Sequence, residues 1–398
     1  MRVLFLTHTV PFPPVSGERI RNWSLARALR ERGRSTALFS LGTEEAAAAP
    51  PAELGGAYDD VLVVEQQAGA ARRARTLAAV ARRRALHESA YLDRAAAARL
   101  RAWQPLASAD LLVASLHMYP YVPAALRART VLDPHNAEGR RLATMAAALG
   151  RTPRGLAARL QVGPVTRYER DAVRSVARTL AVSPQEAAIF EAYAPGRVDL
   201  VPNGVEADEA LFRAEPPESR AILFVGSLDY SANLDAVRHL TRTIAGHLTT
   251  PGVTLVVAGS NPGRAATALG RSAPVEVEFL GHVPSLDESF RRARAFAVPL
   301  RFGGGTRLKI LEALARGVPV VTTSIGCEGL DLESGRDLLV ADDPAEFARS
   351  LDVLLTDDEL CRRLAASGFE AVRRRYSWSA IGAAFDEALA RAAAPVSG

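Results

Sequence analysis

RAFAVPLRFGGGTRLKILEALARGVPVVTT, residues 294–323, reads as one strand–turn–helix–strand unit. The runs RAFAVPL and VPVVTT have strand length, and three glycines between them strip side chains from a turn. Thr306 is placed to cap the helix that follows, Leu308, Leu311 and Ala315 fall on its apolar face, and Gly317 stops it. The helix opens on Arg307 and Lys309, with Glu312 one turn further on. A glycine turn feeding a basic helix start combines backbone donors, positive helix potential and two cationic side chains, which suits a phosphate group. A plain tight turn with a Lys309–Glu312 surface pair suits the same residues, and glycine loops alone do not decide between the two.

The same grammar runs through the rest of the 398-residue chain. In the first half VLFLTH, STALFS, DDVLVVE, ADLLVASLH, RTVLDPHN and RTLAVSPQE are strand candidates separated by helical stretches such as ERIRNWSLARALRERG. In the second half RAILFVGSL, VTLVVAGS, VEVEFLGHV, RAFAVPL and VPVVTTSI repeat the pattern, and the chain closes on helices. Strand-then-helix order predicts parallel sheets covered by helices, with the active crevice beyond the strand C-termini. Between the halves, prolines, an Asn-Gly turn and charges place a boundary around residues 205–219.

Composition narrows the class. Hydrophobic residues make up 48% and charged residues 23%, an ordinary balance for a water-soluble chain of two domains. A net charge of +5 does not make a nucleic-acid binder, and the arginine-rich residues 67–104 lack the aromatic interleaving of a single-strand groove. That segment reads as a charged outer helix face, with an anion-attracting surface as the alternative. Two cysteines, Cys327 and Cys361, supply neither a disulfide framework nor a soft-metal cluster. No run has the length of a membrane span, and the short apolar N-terminus reads as a buried strand and not a secretion signal. The expected location is cytoplasmic, with peripheral contact at the inner face of a membrane left open.

Several polar residues stand where strands end. His8 follows the first strand, and its loop leads through Ser16 and Gly17 to Glu18, Arg19 and Arg21. That loop suits a phosphate or carbohydrate ligand, or else is simply stiffened by prolines with its arginines in solvent. His117 and His135 follow successive strands, where an imidazole can face a crevice and move a proton. An Asx-type turn through Asp133 and Asn136, or a packed histidine, explains them equally. The spacing of His117, Asp133 and His135 matches no short zinc motif. Ser183 lacks the glycines of a nucleophile elbow and fits a helix cap. In the second half Gly226 and Ser227, Gly259, and the trio Gly281, His282 and Val283 follow three strands, so one edge is lined by small residues and backbone donors. This is a seat for a nucleotide diphosphate, without the G-x-G-x-x-G spacing of a dinucleotide site.

Taken together, THTVPFPPVSGERIRN, LVPNGV, FVGSL, LVVAGS, FLGHV, RLKILEALARGVPVVTT, SIGCEGL and the late YSW resemble the retaining nucleotide-sugar glycosyltransferases of family 4. The resemblance covers nearly the whole chain. It implies an α/β fold of the GT-B type, two Rossmann-like domains facing an interdomain cleft. The expected division is an acceptor-side domain over residues 1–205, a donor domain over 206–375, and a helical segment over 376–398 that can cross to the first domain.

By the same resemblance Glu312 takes the place of the glutamate that holds the donor ribose. Gly17 takes that of the loop glycine near the donor phosphate, and His117 that of the histidine near the reacting sugar. The family's earlier glutamate falls on Gly304, and its usual arginine and lysine fall near Ser227 and Asn233. Arg307 and Lys309 are the expected replacements, because the leaving diphosphate needs positive charge. Gly226, Ser227, Gly281, His282, Val283, Gly304, Gly305 and Thr306 are expected on the donor side. His8, Arg19, His135 and Asn136 are expected on the acceptor side. The implied partners are a nucleotide sugar and a hydroxyl of a glycan, lipid-linked or small-molecule acceptor, as in polysaccharide biosynthesis; no nucleic acid, metal or resident cofactor is expected. A nucleotide-sugar epimerase and a non-catalytic sugar-nucleotide binder remain the alternatives, and oligomeric state stays open.

Overall fold

A computed structural model describes residues 1–66, 76, 79, 82, 84–89, 92–260, 269–302 and 307–394. Gly304, Gly305 and Thr306, much of the arginine-rich stretch 67–91, and residues 395–398 lie outside the described residues. The chain groups into two units, Met1–Pro202 with Ile381–Gly398, and Asn203–Ala380.

The first unit is built on a seven-stranded sheet of β1 (Arg2–Thr7), β2 (Ser35–Gly42), β3 (Asp60–Glu65), β4 (Leu111–Ala114), β5 (Thr130–Leu132), β6 (Arg178–Ala181) and β7 (Val198–Leu200), in the order β3-β2-β1-β4-β5-β6-β7. Every pairing is parallel, with Val3 opposite Thr36 on one side and Leu111 on the other. Strands buried on both faces need unbroken apolar runs, and Val3, Leu4, Phe5 and Leu6 supply one at no more than 1% exposure. The order reverses between β1 and β4. That is the switch point of a doubly wound sheet, where the loops leaving two neighbouring strands diverge and open a crevice.

The second unit repeats the plan with β8 (Ala221–Val225), β9 (Thr254–Ala258), β10 (Glu276–Gly281), β11 (Ala293–Val298), β12 (Val320–Thr322) and β13 (Leu339–Val340), in the order β10-β9-β8-β11-β12-β13. All six residues of β11 are buried, as a central strand requires. Here the switch point lies between β8 and β11. The glycine turn of residues 294–323 therefore leaves one of the two strands that open a crevice.

Two sequence expectations change. The helix after that turn is Leu308–Ala315, and Arg307, not Thr306, occupies its cap position without a side-chain cap bond. The Arg307 guanidinium is directed instead to the Ile325 carbonyl, to which it donates at 2.8 Å. Arg21 is not in solvent: it is 1% exposed and paired with Asp133. After β5 the chain forms two packed helices, Glu138–Leu149 and Pro153–Ser175. Ser183 does cap its helix, its hydroxyl accepting from the Glu186 N–H at 3.3 Å. Among the described residues, no helix is long and apolar enough to cross a membrane.

Candidate active site

In the first unit the switch point gathers titratable groups. His8 leaves β1 and His117 follows β4, and their rings stack with centroids 4.3 Å apart. The helix Gly17–Glu31 starts beside them and brings Glu18, whose Oε1 lies 2.9 Å from His8 Nδ1 and 3.8 Å from His135 Nε2. Burial pushes the Glu18 carboxyl up, but the His8 hydrogen bond and the positive potential of His135 and His8 outweigh it and hold it below its ordinary value. His135 follows β5 at φ 63, the one positive φ outside glycine among the described residues. A left-handed histidine is held there by its surroundings, a strain that clusters at functional sites.

Beneath this group, Arg21 Nε donates to Asp133 Oδ2 at 2.7 Å and Nη1 donates to the Pro202 carbonyl at 2.9 Å. Burial pushes Asp133 up, and Arg21, then His135, bring it below its ordinary value. This buried pair ties the loop after β5 to the helix after β1. Arg19, in the first turn of that helix, and Asn136, in the bend after β5, are half-buried, and Gly17 opens the helix with empty space where a side chain would stand. Among the described residues no three His, Cys, Asp or Glu side chains are grouped so as to hold a metal ion.

In the second unit the strand ends are packed too closely for side chains. A Cβ on Gly259 would lie 2.0 Å from the Gly226 carbonyl oxygen, and one on Gly226 would meet Asn233 and the Lys309 ammonium within 2.9 Å. Ser260 donates to Ser227 at 2.9 Å, and Gly226 and Gly259 donate to Ala258 and Gly281 along the same edge. Gly281 adopts φ 68, which turns the chain out of β10; His282 is exposed and Val283 half-buried.

Cations converge on this edge. Lys309 Nζ donates to Asn233 Oδ1 at 2.8 Å and sits 4.7 Å from the Phe224 ring centre. Burial, then the Arg307 charge, depresses the Lys309 ammonium to about 8. Arg307 is 6% exposed, donates to the Ile325 carbonyl at 2.8 Å and lies 3.9 Å from Glu328. Glu312 sits one turn on, pushed up by burial against the opposing pull of Arg316 and Lys309. The geometry thus joins Lys309, Arg307, Gly226 and Ser227. Three participants are additions to the sequence-derived set: Glu18, Asn233 and the loop Ile325–Glu328. Glu18 carried a signal, an acid in the first helical turn beside a strand-end histidine; Asn233 and the SIGCEGL loop were visible through the family resemblance, which gave them no role here.

A family model described as Glycosyltransferase Family 4 matches residues 15–209, and one described as Glycosyl transferases group 1 matches residues 219–357. The phosphatidyl-myo-inositol mannosyltransferase of Mycobacterium leprae is 28% identical over 194 residues, 46% of this chain and 50% of that protein. The D-inositol 3-phosphate glycosyltransferase of Xylanimonas cellulosilytica is 31% identical over 229 residues, 49% of this chain and 52% of that protein. The chain spans about half the length of the curated relatives it matches. Among solved structures, sucrose-phosphate synthase from Thermosynechococcus elongatus superposes with a TM-score of 0.66 at 18% identity, covering 97% of this chain and 98% of that one. Anabaena HepE, in complex with UDP and glucose, gives 0.64 at 14% identity over 98% and 99%. With two glycosyltransferase models tiling most of its length over two Rossmann-like units, the chain belongs to the family 4 glycosyltransferases of GT-B architecture.

Proposed function

We propose that the protein moves a sugar from a nucleotide-sugar donor to an acceptor hydroxyl with retention of configuration. The observation that carries this reading is the buried Arg307–Lys309 pair at the glycine-lined edge of the second unit. The family resemblance puts a lysine near position 233, and here the Lys309 ammonium is hydrogen-bonded to the Asn233 side chain. A lysine from another helix thus delivers charge beside that position. As the bond from the sugar C1 to the diphosphate oxygen breaks, negative charge grows on that oxygen, and Lys309, Arg307 and the backbone donors lower the barrier. The acceptor oxygen bonds to C1 on the face the diphosphate leaves, and its proton passes to the leaving phosphate. Glu312 holds the donor ribose, and His117, stacked on His8, lines the acceptor side.

Incubation with UDP-, GDP- and dTDP-sugars and a panel of hydroxyl acceptors tests the reading. Released nucleotide with a new glycoside is the expected result. An isomerised nucleotide sugar makes the protein an epimerase, and saturable binding without either product makes it a binder. Peripheral contact with an anionic membrane fits Leu149, Leu156 and Leu160, which are exposed near Arg151 and Arg159. Cosedimentation with phosphatidylglycerol but not phosphatidylcholine vesicles is expected, and equal recovery with both rejects it.

A further inference from the structure

The first unit holds a cavity of about 1100 Å³ that the site described above does not use. Five arginines line it, Arg82, Arg84, Arg94, Arg127 and Arg167, against the three carboxylates Glu88, Asp93 and Asp171. Each carboxylate has at least one partner, although Asp93 Oδ2 is buried without one among the described residues. Glu88 is 4.0 Å from Arg84, Asp171 is 3.6 Å from Arg170, and Asp93 accepts from the Ala95 and Ala96 N–H groups at a helix start. Among the described residues, Arg82, Arg94, Arg127 and Arg167 make no ion pair with a carboxylate. Arg127 is stacked 4.9 Å over the Tyr119 ring, and its Nε is buried without a hydrogen-bond partner. Fixing a guanidinium on an aromatic face while leaving a buried donor unmet is unfavourable in the empty protein, and an anion accepting from it would relieve that.

The walls add a second preference. Tyr119 and Tyr168 stand edge to face with centres 5.9 Å apart, offering ring surface of the kind sugars stack on. Tyr168 also ties the cavity to the acceptor side, its hydroxyl donating at 3.2 Å to the carbonyl of Leu116, which precedes His117. We propose that this cavity seats the anionic part of the acceptor, a sugar or polyol bearing phosphate or carboxylate. The proposal names the acceptor class for the transfer reaction and rests on that reading.

Calorimetry on the full chain tests it with glycerol 3-phosphate and glucuronate as anionic probes and glycerol and glucose as neutral matches. UDP is present at saturation so that anion sites in the second unit are filled. At least one anion should bind roughly tenfold more tightly than its neutral match, and Arg127→Ala and Arg167→Ala should each weaken it by about tenfold. Arg127→Lys should restore part of the loss, because a charge returns without the planar fork. Which anion binds distinguishes a phosphate from a carboxylate acceptor. Neutral probes binding as well as anions, or anion binding unchanged in the Arg127→Ala/Arg167→Ala double variant, overturns the proposal. UDP affinity of each variant is measured in parallel. Its absence in the wild type defeats the donor reading, whereas its retention beside failed anion discrimination defeats only the cavity assignment.

Discussion

Lys309 is the side chain on whose charge the donor side turns. Burial and Arg307 bring its ammonium from 10.5 to about 8, so in the folded protein it loses its proton before it would in the unfolded chain. Between those values the unfolded state binds the extra proton, and stability therefore rises with pH. Diphosphate binding needs the ammonium and runs the other way, so nucleotide affinity falls as pH passes about 8. Lys309→Met should flatten both slopes, read by urea unfolding and by calorimetric UDP titration. Wild-type affinity that stays level across that range removes Lys309 from the diphosphate. Lys309→Ala and Arg307→Ala should each lower kcat by about a hundredfold with little change in acceptor KM. Glu312→Gln should weaken nucleotide affinity by about tenfold, the scale of a lost charge-assisted hydrogen bond, and leave acceptor affinity alone. An unchanged UDP Kd in the folded variant removes Glu312 from the ribose.

At the scale of an element, the helix Glu138–Leu149 begins on a buried carboxylate. Glu169 accepts from the Glu138 N–H at 2.6 Å, and burial raises its carboxyl to about 7, with the Glu138 charge acting in the same direction. For an acid whose folded value lies above the unfolded one, the folded protein holds an extra proton between about 4.5 and about 7. That stabilisation is present at low pH and is lost as pH rises through about 7. Glu169→Gln keeps an acceptor for the helix start and should remove this slope from urea midpoints, leaving the variant relatively more stable above pH 7. The strands show what sequence can and cannot reveal. VLFLT and AILFV are legible because a strand buried on both faces has to be apolar throughout. Val198–Leu200 and Leu339–Val340 are too short to carry any periodicity and go unread. His8, His117 and Gly226 are legible as strand-end residues because parallel strands share one C-terminal edge. That His8 stacks on His117, or that Lys309 reaches Asn233 across 76 positions, depends on sheet order and rotamer, which no local pattern encodes.

Over the whole molecule, nucleotide should protect one unit preferentially. With UDP at about a hundred times its Kd, linkage adds about 2.7 kcal/mol to whatever binds it. Amide exchange should slow in residues 226–233, 281–283 and 307–328, while the strand ends around His8 and His117 keep their unliganded rates. Equal slowing in both units contradicts a donor seat built mainly on the second. The division of the chain also bears on its synthesis. The helix Trp378–Ala393 delivers residues to the first unit: Phe385 packs 6.2 Å from Phe5, Asp386 holds Arg34, Arg391 reaches Asp199, and Gly382 lacks a side chain where Ala28 presses in. A ribosome makes those residues after all of Asn203–Ala380, a delay on the order of ten to forty seconds. The domain that is born first is therefore finished last, and through that interval the nascent chain presents an unfilled apolar seat around Phe5 and Ala28 for a chaperone to guard.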